Sequence, residues 1–436
     1  MHAMISPRLA TALDKLAAEA QRDGRAPSLV LAAGQHGERA HLTTYGDNPT
    51  PTPQTHYRIG SITKTFTAAL VLQLRDAGQL DLDEPIGRWL PNLAAGSPTT
   101  RQLLSHTSGL QSEPEGQWWE RSPGVTVEEL LAGVTPAKLA LPPGRFRHYS
   151  NLGFGLLGAV VERVAGQPWR AVLQQRLLDP IGLKDTAPDP RNPYAPGYLV
   201  HPWLQQLREE PIPDTRAMAA AGQLWSTADD LLKWGAVLAD GHDGVLDPDT
   251  AEEMRSPIAI VDPQRWTLGS GLGLQLNRLG ERVYCGHSGS MPGYLACLAV
   301  DPGSGWATVA FANCYTNAAV TTLAHKALSM ILDGQEDPVE PWRPAGPVPP
   351  EIAPITGRWW WMGYEITIGY SDGQLLDIDG DDVTPLEPVE PDVWRYLEGP
   401  DRGELLRVVR GPNGEVESLD LHTFVFTRDA WPADPR

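Results

Sequence analysis

Ser61 and Lys64 stand three residues apart in "YRIGSITKTFTAALVLQL", and the chain contains no other Ser-x-x-Lys. A serine hydroxyl is a poor nucleophile at neutral pH and needs a neighbouring base. A lysine amine can serve when desolvation or nearby positive potential favours its neutral form. Residues i and i+3 share a helix face, so a helix over "TKTFTAALVLQLRDAG", ending at Gly78, brings the amine within reach of the hydroxyl. The first turn of that helix also aims free backbone N–H groups where an oxyanion forms. A capping serine beside a solvated lysine has the same spacing, so the tetrapeptide alone leaves both readings open.

The surrounding elements must hold such a pair. Ser6 to about Arg22 predicts an amphipathic helix, with Leu9, Leu13, Leu16 and Ala20 on one face. "SLVLAAG" and "AHLTTYG" predict two strands joined near Gly37. From Ser61 to about Ile260 helices and long loops dominate, "VEELLAGV", "NLGFGLLGAVVERVAG" and "TADDLLKWGAVLAD" being the clearest helices. Strands return at "RVYCGHSG", "YLACLAVDP" and "WATVAFANC", followed by a last helix over "NAAVTTLAHKALSMIL". Strands at both ends with helices between them predict an α/β domain plus a helical domain, with a cleft where they meet. This first unit spans residues 1–335. A proline-dense linker occupies 336–353, and 354–436 alternates apolar and polar residues as a small all-β sandwich or barrel.

Composition removes several function classes. The formal net charge of −19 repels phosphate backbones, and no Lys/Arg run exists, which argues against nucleic acid as a partner. No run of about eighteen apolar residues predicts a membrane span. The N-terminus has no basic segment followed by an apolar core, so the expected location is cytoplasmic. Cys285, Cys297 and Cys314 lack metal-like spacing and are expected reduced, mostly buried in β-structure. No metal and no cofactor are implied.

Five blocks in order settle the two readings of Ser61. They are "YRIGSITKTFTAALVLQL", "LLSHTSGL", "LPPGRFRHYSNLGFGLLGAVVERVAG", "AAGQLWSTADDLLKW" and "GHSGSMPGYLACLAVDP". Together, over about residues 10 to 335, the chain resembles the serine β-lactamase and penicillin-binding-protein superfamily. The likeness is to its class C-like branch of esterases, D-aminopeptidases and related D-peptide hydrolases. The resemblance implies a β-lactamase-like α/β fold, with an antiparallel sheet flanked by helices plus a helical subdomain. It also implies a lipocalin-like C-terminal barrel.

By the same resemblance Ser61 is the nucleophile and Lys64 holds the proton network around it. Tyr149 of Tyr149-Ser-Asn151 takes the serine proton, directly or with Lys64, its pKa lowered by that amine. Asn151 is expected to bind both substrate and lysine. His287-Ser288-Gly289 is the third motif, placing the Ser290 backbone N–H opposite that of Ser61 as an oxyanion hole. Each such donor is worth about 3 kcal/mol in the transition state. The family's third motif is Lys-Thr-Gly or His-x-Gly, and His287 departs from the lysine of most β-lactamases and transpeptidases. A histidine is mostly neutral at pH 7. This argues against a dedicated β-lactamase or a carboxypeptidase that reads a free C-terminus.

Other matches carry less. Tyr315-Thr-Asn317 repeats the second motif, but follows the third and reads as a strand end before a helix cap. Gly369-Tyr-Ser371-Asp-Gly373 fits the nucleophile-elbow pattern, which needs a strand-to-helix turn, whereas "EITIGYSDGQLLDI" predicts a hairpin. His106 reads as structural, and Arg145 and Arg147 as solvated. Trp359, Trp360 and Trp361 alternate faces of a strand, with packing as their expected role. The expected activity is hydrolysis of a small ester, or of an amide or peptide of possible D-configuration, through an acyl-enzyme. The rivals are a penicillin-interacting enzyme with weak β-lactamase or DD-peptidase activity, and a non-turnover penicillin sensor or scaffold. The sequence fixes no oligomeric state.

Overall fold

The computed structural model describes the chain except for residues 1–4, 48–49, 92, 94–97, 136–137, 202, 205, 316–319, 335–347, 372, 381 and 431–436. Contacts divide it into two compact units, Met1–Glu336 and Asp337–Arg436.

The first unit is built on an eight-stranded antiparallel sheet. Its strands run in the order Glu38–Gly46, Ser28–Gln35, Trp306–Ala312, Tyr294–Asp301, Arg282–Met291, Gln275–Leu279, Leu268–Ser270, Ala259–Ile260. N- and C-terminal segments meet at its centre, where Val30 pairs with Phe311 and Ala32 with Val309. Side chains of a strand alternate faces. Leu29, Leu31 and Ala33 therefore join one core, with Leu13 and Ala17 of the helix Pro7–Gly24 and Leu323, Ala327 and Leu328 of the helix Val320–Asp333. Val30 and Ala32 join the other, with Leu231 and Trp234 of the helix Ala228–Asp240 and the central helices. A strand buried on both faces reads as the near-continuous apolar run seen in "SLVLAAG".

The helix Thr63–Asp76 is buried around almost its whole circumference from Thr63 to Leu72. Its threonines are therefore hydrogen-bonded pegs. Thr63 Oγ1 accepts from the Leu224 backbone N–H, and Thr67 Oγ1 donates to the Ala220 carbonyl. Thr65 Oγ1 accepts from the Trp234 indole while donating to the Ile62 carbonyl. The helix Asn151–Ala165 is equally buried over its first eleven residues, and Ser150 caps it, its hydroxyl accepting from Gly153 N–H.

The second unit is a meander of eight antiparallel strands from Gly357–Trp361 to Phe424–Phe426. A bridge between Trp360 and Thr427 brings its first strand against the chain just past its last, giving a nearly closed barrel. Trp359, Ile368, Leu375, Leu386, Leu406 and Leu419 fill the interior. Trp359 also lies under Arg428, whose Cζ is 3.7 Å from the ring, and Trp361 packs on Phe424. Ile352 joins this core, so the barrel unit takes in residues expected to be linker. Most of that linker lies outside the described residues. Ser371 pairs with Gln374 across a turn, so the Gly-x-Ser-x-Gly stretch is a hairpin.

All three cysteines are buried, and burial pushes the Cys285 thiol up to about 12. Among the described residues no helix is long and apolar enough to cross a membrane. No group of His, Cys, Asp and Glu among them has metal-binding geometry.

Candidate active site

Ser61 sits in a single 3-10 turn, Gly60–Ile62, that runs directly into the helix Thr63–Asp76. Lys64 Nζ donates to Ser61 Oγ at 2.9 Å and to the Ala221 carbonyl at 2.7 Å. Lys64 is fully buried, and that burial is the largest influence on its amine, lowering it to about 7 against the opposing pull of Glu113 and Glu120. Ser61, by contrast, is partly exposed. The hydroxyl of a partly exposed serine thus contacts an amine that can be neutral near pH 7.

The turn lies directly against the strand Arg282–Met291. Gly60 has a left-handed φ of 52°, and a Cβ there would come within 2.6 Å of the Ser290 backbone nitrogen. A Cβ on Gly289 would overlap the Ile59 carbonyl oxygen and lie 3.2 Å from the Ser61 nitrogen. Only glycine at both positions lets the two backbones approach this closely. The approach brings the backbones of Gly60 and Ser290, and of Gly289 and Ser61, close together.

Tyr149 precedes the capping Ser150. Its ring is 5.1 Å from Lys64 Nζ, and its phenol is a hydrogen-bonding neighbour of Ser61. The expectation that Lys64 lowers the phenol fails. Burial dominates and pushes Tyr149 well above the ordinary tyrosine value, while Ser61 and Arg147 pull it down. Burial acts on acid and base in opposite directions, favouring the neutral form of both the phenol and the amine.

His287 is buried, its Nδ1 2.5 Å from the Ser288 carbonyl oxygen, and burial lowers it to about 3. The ring is neutral, and the third motif supplies no cation. Ser288 is held by Gln275, whose Oε1 accepts from both its N–H and its hydroxyl at 3.1 Å.

Asn151 is 7% exposed and donates from Nδ2 to Glu113 Oε1 at 2.6 Å. The expected bond between Asn151 and Lys64 is absent, because the amine is taken by Ser61 and Ala221. Arg147 is also not the solvated side chain expected. Half-buried, it donates from Nε to Ser270 Oγ at 2.6 Å and places its guanidinium 5.6 Å from the Tyr149 ring. Arg145 is exposed. His106 has the structural place expected of it, with Nδ1 accepting from Ser150 N–H and its ring 4.4 Å from that of Tyr149. The second Tyr-x-Asn has Thr316 and Asn317 outside the described residues.

Four contributors escaped the sequence reading: Glu113, Glu120, the Ala221 carbonyl and Gln275. Glu113 and Glu120 lie in "SEPEGQWWE", a loop without periodicity. Ala221 lies in "AAGQLW", a matched block whose order gave no role. A backbone carbonyl has no residue type to read.

The Beta-lactamase family model matches residues 13–329. The chain belongs to this family. Residues 348–428 match a second model, described as a domain of unknown function, DUF7586. Esterase EstB of Burkholderia gladioli is 36% identical over 200 residues, 41% of this chain and 51% of that protein. Beta-lactamase-like protein 2 of Dictyostelium discoideum is 26% identical over 312 residues, 66% of this chain and 56% of that protein. The chain thus spans little more than half the length of these two relatives. A D-stereospecific amidohydrolase from Streptomyces sp. superposes with a TM-score of 0.63 at 27% identity, covering 74% of this chain and 99% of that one.

Proposed function

We propose that the first unit is a serine hydrolase that cleaves small esters, amides or peptides through an acyl-enzyme on Ser61. The observation that carries this reading is the 2.9 Å contact between Ser61 and a fully buried Lys64. Neutral Lys64 accepts the serine proton as Oγ attacks the substrate carbonyl. The backbone N–H groups of Ser61 and Ser290 hold the resulting oxyanion. Tyr149, kept protonated by burial, passes its proton to the leaving group and is reprotonated from Lys64. Water then attacks the acyl-enzyme by the reverse route, returning the proton to Ser61. No cofactor enters these steps. The names of EstB and the Streptomyces amidohydrolase, an esterase and a D-stereospecific hydrolase, support the substrate range.

The test is turnover of p-nitrophenyl esters, D- and L-aminoacyl amides and nitrocefin by the full chain. Ester or amide hydrolysis with slow or absent nitrocefin cleavage is expected, because His287 presents no cation to a β-lactam carboxylate. Fast nitrocefin turnover contradicts the reading of His287. A burst of acylation without turnover identifies a sensor instead.

Arg147 offers a second measurement. An opposite charge within about 4–6 Å lowers an acid by about 1–3 pKa units. The Arg147→Met variant therefore loses about tenfold in ester kcat as Tyr149 becomes a poorer proton donor to the leaving group. Steady-state kinetics across pH read this, and an unchanged kcat removes Arg147 from the mechanism.

A further inference from the structure

A cavity of about 380 Å³, within the size range of small-ligand sites, lies between the strands Leu268–Ser270 and Gln275–Leu279 and the helix Val320–Asp333. That helix packs in the core of Leu29 and Leu31, whereas the helix after Ser61 packs in the other core, on the opposite sheet face. In a chain of net charge −19, the cavity lining holds Arg278 and Lys326 and no carboxylate. The Arg278 guanidinium is steadied by the Gly280 carbonyl at 3.1 Å and the Trp266 ring at 5.0 Å. Its ion pair is a 3.8 Å contact to Glu281, which is 97% exposed, and a pair so open to water is weak. Lys326 is exposed and has no ion-pair partner among the described residues. The two cations are thus available to an anion.

His325 lines the same cavity and is 9% exposed. Its Nδ1 lies 2.8 Å from the Thr321 carbonyl oxygen. A carbonyl only accepts, so Nδ1 carries the proton. Burial favours the neutral ring, which leaves Nε2 as a bare acceptor with no partner among the described residues. Leu268 and Leu279 supply apolar wall. A matching ligand has an anionic head, an apolar body and one O–H donor.

The strands that line this cavity also hold the catalytic groups. Ser270 takes the Nε of Arg147, and Gln275 takes the N–H and hydroxyl of Ser288. We propose that the cavity is an effector site for a small hydroxylated carboxylate, whose binding is felt at Ser61 through those two strands. Binding stands apart from the hydrolase reading, and only its effect on turnover rests on that reading.

The probe is 4-hydroxyphenylacetate, with phenylacetate lacking the hydroxyl and 4-hydroxyphenylethanol lacking the charge. Calorimetry on Ser61→Ala is expected to show binding of the probe in the millimolar range or tighter. Phenylacetate should bind about fivefold more weakly, and the uncharged alcohol at least about tenfold more weakly. Adding Arg278→Met and Lys326→Met together should weaken the probe by at least about tenfold. In otherwise wild-type enzyme, saturating probe is expected to shift kcat for p-nitrophenyl butyrate by about fivefold, which competition at Ser61 would not do. The Arg278→Met/Lys326→Met variant should keep its basal kcat and lose the shift. Absent binding, binding that the double substitution leaves unchanged, or an unchanged kcat at saturation each overturns the effector site. An enzyme that binds the probe but cleaves no ester overturns the hydrolase reading and leaves the binding result standing.

Discussion

The Ser61→Ala variant is expected to lose at least about ten-thousandfold in ester kcat/KM, the scale seen when a catalytic nucleophile is removed. The fold should not notice. Ser61 is partly exposed, and the Gly60–Ile62 turn is set by backbone contact with Gly289 and Ser290. Its hydroxyl is one of two acceptors for Lys64, and the Ala221 carbonyl at 2.7 Å remains. The thermal midpoint is expected to stay within about 2 °C. Calorimetry and a p-nitrophenyl ester assay on the same preparation separate lost chemistry from lost structure. Equal turnover by both proteins would take Ser61 out of the mechanism.

Lys64→Met is expected to act in two directions at once. Without the amine, the serine proton has no acceptor, and kcat falls by about a thousandfold or more. The same substitution stabilises the protein near and below neutrality. Burial lowers the Lys64 amine from an ordinary 10.5 to about 7, so folding disfavours its charged form. The unfolded chain binds the proton more tightly, and stability attributable to this group rises with pH. The penalty is complete below pH 7 and fades as pH climbs toward 10.5. Methionine fills the space without that penalty but leaves the Ala221 carbonyl without its donor, an offset of about 1–3 kcal/mol. The net gain should be about 1–3 kcal/mol at pH 6 and should vanish or reverse by pH 10. Thermal denaturation at the two pH values reads it. A variant less stable at pH 6 than at pH 10, relative to wild type, would show that Lys64 is folded as a solvated cation.

The Ser61–Lys64 pair was legible because its geometry is local. A three-residue spacing at a helix start has one outcome once the helix forms. Tyr149 and His287 lie 88 and 226 residues from Ser61, and likeness to a family, not periodicity, brought them into view. What stayed hidden depends on burial and on long-range contact. Tyr149 shifts upward because the protein around it is dense, a property of the fold that no neighbouring residue announces. Arg147 looks like any loop arginine until Ser270, from a strand 123 residues later, takes its Nε. Asn151 was expected on Lys64, and its actual partner Glu113 belongs to a loop with no repeating pattern. The barrel was legible as strands with turns, and the Trp360–Thr427 bridge decided between barrel and sandwich.

The most direct test of the account is the mass of the enzyme during turnover. Acid-quenched wild type, taken early in the hydrolysis of p-nitrophenyl butyrate, should carry one butyryl group, mapped by peptide sequencing to Ser61 and absent from Ser61→Ala. An adduct on any other residue, or continued hydrolysis by Ser61→Ala, would contradict it.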